Sequence, residues 1–169
     1  MSLLIGIDPG KKGGLVVLHS PAAGVLEVVD AFRAEADYVV AGEYRAKAMR
    51  DILEKYSVAA RVALERQQAM PKQGVSSTFS IGRGYGLWEG LIVGLGVPLY
   101  VVRPREWQTV LHGLPGEGKA RAVLCVESRL PGLELKPGKL RKCHEGLADA
   151  ACIAMWLAGQ PDEHATSRR

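Results

Sequence analysis

Two acidic residues follow apolar runs that are separated by about a third of the chain. Asp8 ends the run from residue 3 to residue 7, and Glu65 ends the run from residue 62 to residue 64. Short apolar runs of this kind are typical of strands that are buried on both faces of a sheet. A carboxylate at the end of such a strand is costly to desolvate unless it is paired or bound to a metal ion. The two acids therefore predict a shared site at one edge of one sheet.

A second acidic pair, Glu145 and Asp149, lies within a predicted helix over residues 145–158. A spacing of four places both side chains on one face of a helix, about 40° apart around its axis. These charges would repel each other and the two strand-end acids, unless Mg²⁺ or Mn²⁺ bound between them through oxygen ligands. The alternative is a solvated first turn favoured by the helix dipole. The apolar neighbours of Asp149 argue against that alternative.

A glycine-rich turn follows Asp8. Pro9 and Gly10 stop the first strand, Gly13 and Gly14 follow, and an apolar run resumes at residues 15–18, which predicts a hairpin. Few side chains block this turn, so a bulky anionic ligand could approach its backbone. The alternative is that Asp8 only caps the turn that it begins.

The order of the predicted elements defines an α/β protein. Strands are predicted near 3–7, 15–18, 25–29, 62–64 and 97–102, and helices near 42–56, 78–95, 104–113, 117–130 and 145–158. This order predicts a mixed five-stranded sheet flanked by helices, with three antiparallel strands followed by two parallel ones. We expect one domain over residues 1–160 and a flexible tail over 161–169.

Composition limits the classes of function. The chain has 169 residues, of which 47% are hydrophobic and 24% charged, which is ordinary for a globular protein. No apolar run reaches the ~20 residues that span a bilayer, and no basic region precedes the first apolar segment as in a signal peptide. Three cysteines without CxxC spacing favour reduced thiols and a cytoplasmic location, and they offer no zinc site. A net charge of +4 favours a polyanionic partner.

Three stretches carry a family resemblance. IGIDPG with its glycine turn, LERQQAMPKQGVSSTFSIGRGYGLWEGLIVGLGVPLYVVRPREWQ and HEGLADAACIA together resemble the RuvC Holliday-junction resolvases. The resemblance covers residues 3 to 158 and is strongest to the compact bacteriophage-type branch. It implies an RNase H-like fold and paired nicking of a four-way DNA junction by a homodimer. It also implies two Mg²⁺ or Mn²⁺ ions per active site, held by Asp8, Glu65 and Asp149 together with a fourth ligand.

The fourth ligand is open between two neighbours. Many relatives carry an aspartate where this chain has Gly146, and others carry an acid or a histidine slightly earlier. Glu145 faces the same way as Asp149 and is our first choice. His144 could reach the site only if the helix begins after it, and it is the second choice, as a ligand or as a group acting on water or the leaving oxygen.

The resemblance also implies a DNA-contacting surface. The segment after Glu65 contains no acid, and Ser76 or Ser77 could cap the helix that follows it. A basic loop precedes the last helix and would flank the cut strand. A polar connection and a solvated basic loop are the alternatives. The predicted DNA contacts, with Lys136 belonging to the same basic loop, are Arg66, Lys72, Gln73, Ser76, Ser77, Arg83, Lys139, Arg141 and Lys142.

Helix 78–95 carries a ridge of glycines at four-residue spacing, Gly82, Gly86, Gly90 and Gly94. Each interior glycine costs about 1 kcal/mol relative to alanine, so close packing must offset several of them. The ridge predicts a subunit interface in a homodimer or, alternatively, packing on the sheet. We interpret Trp88 and Trp107 as core residues.

The function that these features favour is a structure-selective endodeoxyribonuclease that resolves four-way DNA junctions. A related nuclease acting on flaps or forks and a junction-binding protein with a degenerate site are the alternatives. A glycine turn after a first-strand aspartate also occurs in ATP-binding sugar-kinase and actin-like folds, but this chain lacks the length for their second domain.

Overall fold

A computed structural model describes residues 2–161, which form a sheet covered by helices on both faces. The strands are β1 (Ser2–Asp8), β2 (Gly14–Ala22), β3 (Val25–Arg33), β4 (Val39–Val40), β5 (Glu43–Tyr44), β6 (Ala60–Glu65) and β7 (Leu99–Val102). The helices are α1 (Ala46–Tyr56), α2 (Val75–Gly94), α3 (Pro104–Trp107), α4 (Ala120–Arg129) and α5 (Glu145–Ala158). No helix in this part of the chain is long and apolar enough to cross a membrane.

The main sheet has the strand order β3-β2-β1-β6-β7. Strands β1, β2 and β3 form an antiparallel meander, whereas β6 and β7 are parallel to β1. The predicted mixed five-stranded sheet is thus confirmed. Parallel pairing of β1 with β6 brings the carboxyl ends of both strands to the same edge of the sheet.

Alternation along the central strands divides the core into two layers. Leu4 and Ala63 contact the layer formed with α4 and α5, and Ile5 and Leu64 contact the layer formed with α1 and α2. By the same period of two, Asp8 and Glu65 lie on the α5 side of the sheet. Helix α5 and the carboxyl ends of β1 and β6 therefore meet on one side of the sheet.

Several predicted boundaries differ from the structure. Strands β2 and β3 are longer than predicted, and a π-helical turn (Ala34–Tyr38) and the β4–β5 hairpin precede α1. The prediction that Ser76 or Ser77 caps α2 is wrong, because the helix begins at Val75 after Gly74. Gly74 is the N-cap, and its carbonyl accepts from the Thr78 N–H at 2.9 Å and from the Thr78 hydroxyl at 3.1 Å. A single domain over 1–160 stays a prediction, and residues 162–169 of the predicted tail lie outside the described residues.

Candidate active site

Asp8 is held at the edge of the sheet by the turn that follows it. Its Oδ1 accepts a hydrogen bond from the Gly10 N–H at 3.1 Å, and the Gly13 N–H donates to the Gly10 carbonyl at 2.9 Å. A Cβ atom on Gly13 would lie 2.2 Å from the Asp8 carbonyl oxygen, so only glycine fits there. Burial raises the pKa of Asp8, and the Gly10 hydrogen bond only partly offsets this effect.

Glu65 extends from the neighbouring strand into the same site. Its Oε1 accepts from the Trp107 indole N–H at 2.8 Å, and its Oε2 accepts from the Gln67 side-chain amide at 2.9 Å. Burial and, next, the charge of Asp8 raise the pKa of Glu65. Both hydrogen bonds oppose that rise because they stabilise the ionised carboxylate.

Helix α5 reaches the site because it packs directly on the backbone of β1. A Cβ atom on Gly6 would lie 2.1 Å from the Ala150 carbonyl oxygen, so this contact requires glycine. The close approach brings Asp149 to the strand-end acids. Burial, followed by the charge of Asp8, raises the pKa of Asp149 to about 7, although the charge of Lys119 lowers it.

The three carboxylates line a cleft of about 450 Å³. The lining residues are Asp8, Glu65, Trp107, Gln108, Leu111, Gly118, Lys119, Arg121, Ala122 and Asp149. Lys119 enters from the turn before α4, and its Nζ lies 3.1 Å from Glu145 Oε2. Burial would lower the pKa of Lys119, but Glu145 and Asp149 outweigh it and raise this pKa. Glu145 is about half exposed and does not line the cleft, although its charge acts on Asp149.

His144 is the N-cap of α5, and both of its ring nitrogens are engaged. Nδ1 accepts from the Leu147 N–H at 3.0 Å, and Nε2 lies 2.9 Å from Glu35 Oε1. Because Nδ1 accepts, Nε2 carries the proton in the neutral ring and donates it to Glu35. The helix begins after His144, as its predicted role requires, but neither nitrogen is available to a metal ion in this arrangement.

Gly146 explains the departure from the pattern of the relatives. A Cβ atom at this position would lie 2.3 Å from the Lys12 carbonyl oxygen and 2.6 Å from the Gly13 Cα atom. An aspartate would therefore push the first turn of α5 away from the turn after Asp8. Glu145 as the fourth ligand stays a prediction.

The donor set fits a hard divalent cation in its chemistry. Asp8, Glu65 and Asp149 supply only oxygen, which suits Mg²⁺ or Mn²⁺ better than Zn²⁺. All three have a raised pKa, and a nearby cation would reverse that rise. Over residues 2–161, no three His, Cys, Asp or Glu side chains are close enough as placed to hold one ion. An ion held by all three carboxylates at once would therefore require some of these side chains to rotate toward one another.

The segment predicted to contact DNA follows Glu65 without regular structure and leads into α2. Gln73 stabilises this segment, because its side-chain oxygen accepts a hydrogen bond from the Met70 N–H at 3.1 Å. Arg83, on the first turns of α2, forms an ion pair with Glu43 of the β4–β5 hairpin. The exposed members of the predicted set are Arg66, Lys72, Ser76, Ser77, Arg83, Lys139, Arg141 and Lys142.

The glycine ridge of α2 faces open space. A Cβ atom added at any of its four glycines would meet no atom of residues 2–161 within 4 Å, so the alternative of packing on the sheet is wrong. The opposite face of α2 buries Trp88 and Ile92 completely. Val75, Phe79 and Val93 are 88%, 72% and 63% exposed, and their helical spacing places them on the ridge side.

Sequence reasoning missed Lys119, Gln67 and Glu35, and it gave Trp107 only a core role. Trp107 is indeed buried, at 3% exposure, but its N–H edge contacts Glu65. The sequence did contain a signal for Lys119. This residue follows Gly116 and Gly118 and directly precedes a helix, which indicates a charged group in a compact turn. No local pattern marks Trp107, Glu35 or Gln67. The partners of Trp107 and Glu35 are distant in sequence, and Gln67 lies in an irregular segment.

The sheet order, the two helical layers and the acids at the strand ends define an RNase H-like α/β fold. The solved structure of Thermus thermophilus RuvC in complex with a Holliday junction substrate is similar, with 23% identity, a TM-score of 0.67 and 92% of each chain covered. A structure of Thermus thermophilus RuvC gives a TM-score of 0.60, at 23% identity, over 91% of this chain and 92% of that one. The predicted fold is thereby confirmed, and the resemblance to RuvC is confirmed at the level of the fold. The narrower assignment to the bacteriophage-type branch stays a prediction.

A sequence relative is the chloroplastic Holliday junction resolvase MOC1 of Chlamydomonas reinhardtii. It is 29% identical over 90 residues, which are 53% of this chain and 10% of that protein. The chain thus matches a tenth of the length of this curated relative. No protein-family model matches the chain.

Proposed function

We propose that the chain is a structure-selective endodeoxyribonuclease that resolves four-way DNA junctions by metal-dependent nicking. The observation that carries this proposal is the convergence of Asp8, Glu65 and Asp149 on one cleft at the edge of the sheet. The similarity in fold to a RuvC that was solved with a Holliday junction substrate supports the choice of substrate.

Asp8, Glu65 and Asp149, with Glu145 as the fourth ligand, would hold two Mg²⁺ or Mn²⁺ ions. Bound ions of this kind activate a water molecule and stabilise the leaving oxygen of a phosphodiester. Lys119 pairs with Glu145 at 3.1 Å, so its ammonium group keeps one positive charge among the acids. Trp107 and Gln67 keep Glu65 directed into the cleft.

The DNA would lie across the cleft with its backbone on basic side chains at two sides. Arg66 and Lys72 follow Glu65 directly, and the loop with Lys139, Arg141 and Lys142 leads directly into α5. Contacts to phosphate supply most of the affinity and read shape rather than sequence. Gln73, Ser76 and Ser77 would add hydrogen bonds. Arg83 would have to leave Glu43 to join them.

The α2 ridge would form the interface of a homodimer. Its four glycines and the exposed Val75, Phe79 and Val93 make a continuous small and apolar stripe. Two such stripes can approach closely at the glycines, because no side chain separates the backbones there. A dimer would present two clefts to the two strands that a junction requires to be cut. The unpaired cysteines support an intracellular location as part of this proposal.

The test is digestion of a synthetic four-way junction beside duplex, flap and fork substrates. Each substrate receives Mg²⁺, Mn²⁺ or EDTA, and Asp8→Asn serves as the inactive control. We expect paired nicks in the junction that require a divalent ion and the intact Asp8. Cleavage of flaps or forks in preference to the junction would replace this proposal with a different nuclease. Tight junction binding without cleavage under any metal would indicate a binding protein.

A further inference from the structure

Glu65 is the most constrained of the carboxylates that line the cleft. Neutral donors hold both of its oxygens, the Trp107 indole at 2.8 Å and the Gln67 amide at 2.9 Å. Asp8 accepts one backbone hydrogen bond, and Asp149 accepts none within residues 2–161. The chain thus fixes one acid of the site and leaves the others freer to rotate.

Trp107 is a rigid donor because its ring belongs to the core. The side chain is 3% exposed and lies in the hydrophobic layer that contains Leu111 and Ala148. Helix α3 begins at Pro104, and the Arg103 N–H donates to the Glu106 carboxylate at 2.7 Å, which fixes the first turn. The indole therefore cannot leave Glu65 without opening the core, and only its N–H edge reaches the cleft.

We propose that Trp107 is a positioning residue that orients the Glu65 carboxylate for binding a divalent cation. This inference rests on the proposed metal-dependent function. A free glutamate samples several rotamers, and their loss opposes ion binding. A carboxylate oxygen that accepts one hydrogen bond keeps a second lone pair for a metal ion. Partners of this kind hold metal ligands in a productive geometry.

Trp88 provides a matched control within the same chain. It is buried like Trp107, but its Nε1 has no hydrogen-bond partner within residues 2–161, and its ring packs edge-on against Tyr38 with the ring centroids 5.1 Å apart. Trp107→Phe and Trp88→Phe each replace a buried indole by a benzene ring. Only the first removes a hydrogen bond to the cleft.

The first measurement is Mn²⁺ binding by titration calorimetry in the absence of DNA. We expect Trp107→Phe to weaken Mn²⁺ binding by about tenfold to a hundredfold, as is usual when such a partner is lost. Trp88→Phe should leave Mn²⁺ binding unchanged. A folded Trp107→Phe variant that binds Mn²⁺ as tightly as the wild type overturns the inference.

The second measurement uses the wild-type fold, so it remains decisive if Trp107→Phe does not fold. In ¹H–¹⁵N spectra of the three indoles, with Trp88→Phe and Trp156→Phe for assignment, Mg²⁺ should shift the Trp107 resonance most. A Trp107 resonance that stays in place while Mg²⁺ binds overturns the inference. A wild-type chain that binds neither Mg²⁺ nor Mn²⁺ in the cleft also overturns the inference. Ion binding without junction cleavage would overturn only the proposed function.

Discussion

Asp149→Asn should make the metal-free protein more stable at neutral and basic pH. The substitution keeps the size of the side chain and removes the charge. Burial and the charge of Asp8 raise the pKa of Asp149 from 3.8 to about 7 in the folded chain. The folded state therefore binds a proton that the unfolded state has already released between these two values.

The sign and size of the Asp149 contribution to the free energy of unfolding follow from linkage between protonation and folding. Because the folded pKa is the higher one, stability from this group is complete below pH 3.8 and is lost as pH rises to about 7. A pKa difference of one corresponds to about 1.4 kcal/mol. Because the pKa of Asp149 rises from 3.8 to about 7, the total effect on the free energy of unfolding is about 4 kcal/mol. That is a large part of the ~5–15 kcal/mol that stabilises a typical domain.

The assay is urea unfolding followed by circular dichroism between pH 4 and pH 8, with EDTA present. The free energy of unfolding of Asp149→Asn, relative to the wild type, should be near zero at the acidic end and rise by about 4 kcal/mol at the basic end. Mg²⁺ at pH 8 should stabilise the wild type much more than the variant, because only the wild type keeps the full set of ligands.

Asp51→Asn is the matched control, because Asp51 lies on the surface of α1. Hydrogen bonds from Lys47 and Arg50 lower its pKa, so the sign is opposite and its replacement should not stabilise the protein at neutral pH. A stability difference for Asp149→Asn that stays flat from pH 4 to pH 8, or falls, would refute the reasoning about the buried charge.

Four further predictions concern activity, assembly and packing. Each of the three cleft acids can be replaced by its amide, in Asp8→Asn, Glu65→Gln and Asp149→Asn. Each variant should lose junction cleavage in a nicking assay and keep most of its junction binding in a gel shift. Glu145→Gln should lower cleavage with both Mg²⁺ and Mn²⁺ more than His144→Ala does, and the reverse order would exchange their roles. Gly90→Leu should shift the protein toward monomer in analytical sedimentation, whereas a well-folded dimer would exclude the ridge from the interface. Gly6→Ala should lower the melting temperature clearly, because its Cβ would lie 2.1 Å from a carbonyl oxygen of α5, and an unchanged melting temperature would contradict that packing.

Local sequence determined the elements and the acids that they carry. The apolar runs before Asp8 and Glu65 gave the two central strands, since buried strands need such runs and each ends where a charge follows. Helix α5 has the predicted bounds, Glu145–Ala158, because apolar residues fill its interior and Gly159 follows it. The mixture of antiparallel and parallel strands followed from the order of the elements along the chain, and it made the shared site of the strand-end acids predictable.

Only the tertiary structure decided how the acids are held. Trp107 contacts Glu65 across 42 positions, and His144 contacts Glu35 across 109. Periodicity reports which residues are buried, but it does not report which distant polar groups meet. The same limit applies to α2, whose glycine pattern predicted a close approach without telling which face the core would leave open. Local patterns encode burial and turns, whereas the partners of each charge depend on how the helices pack on the sheet.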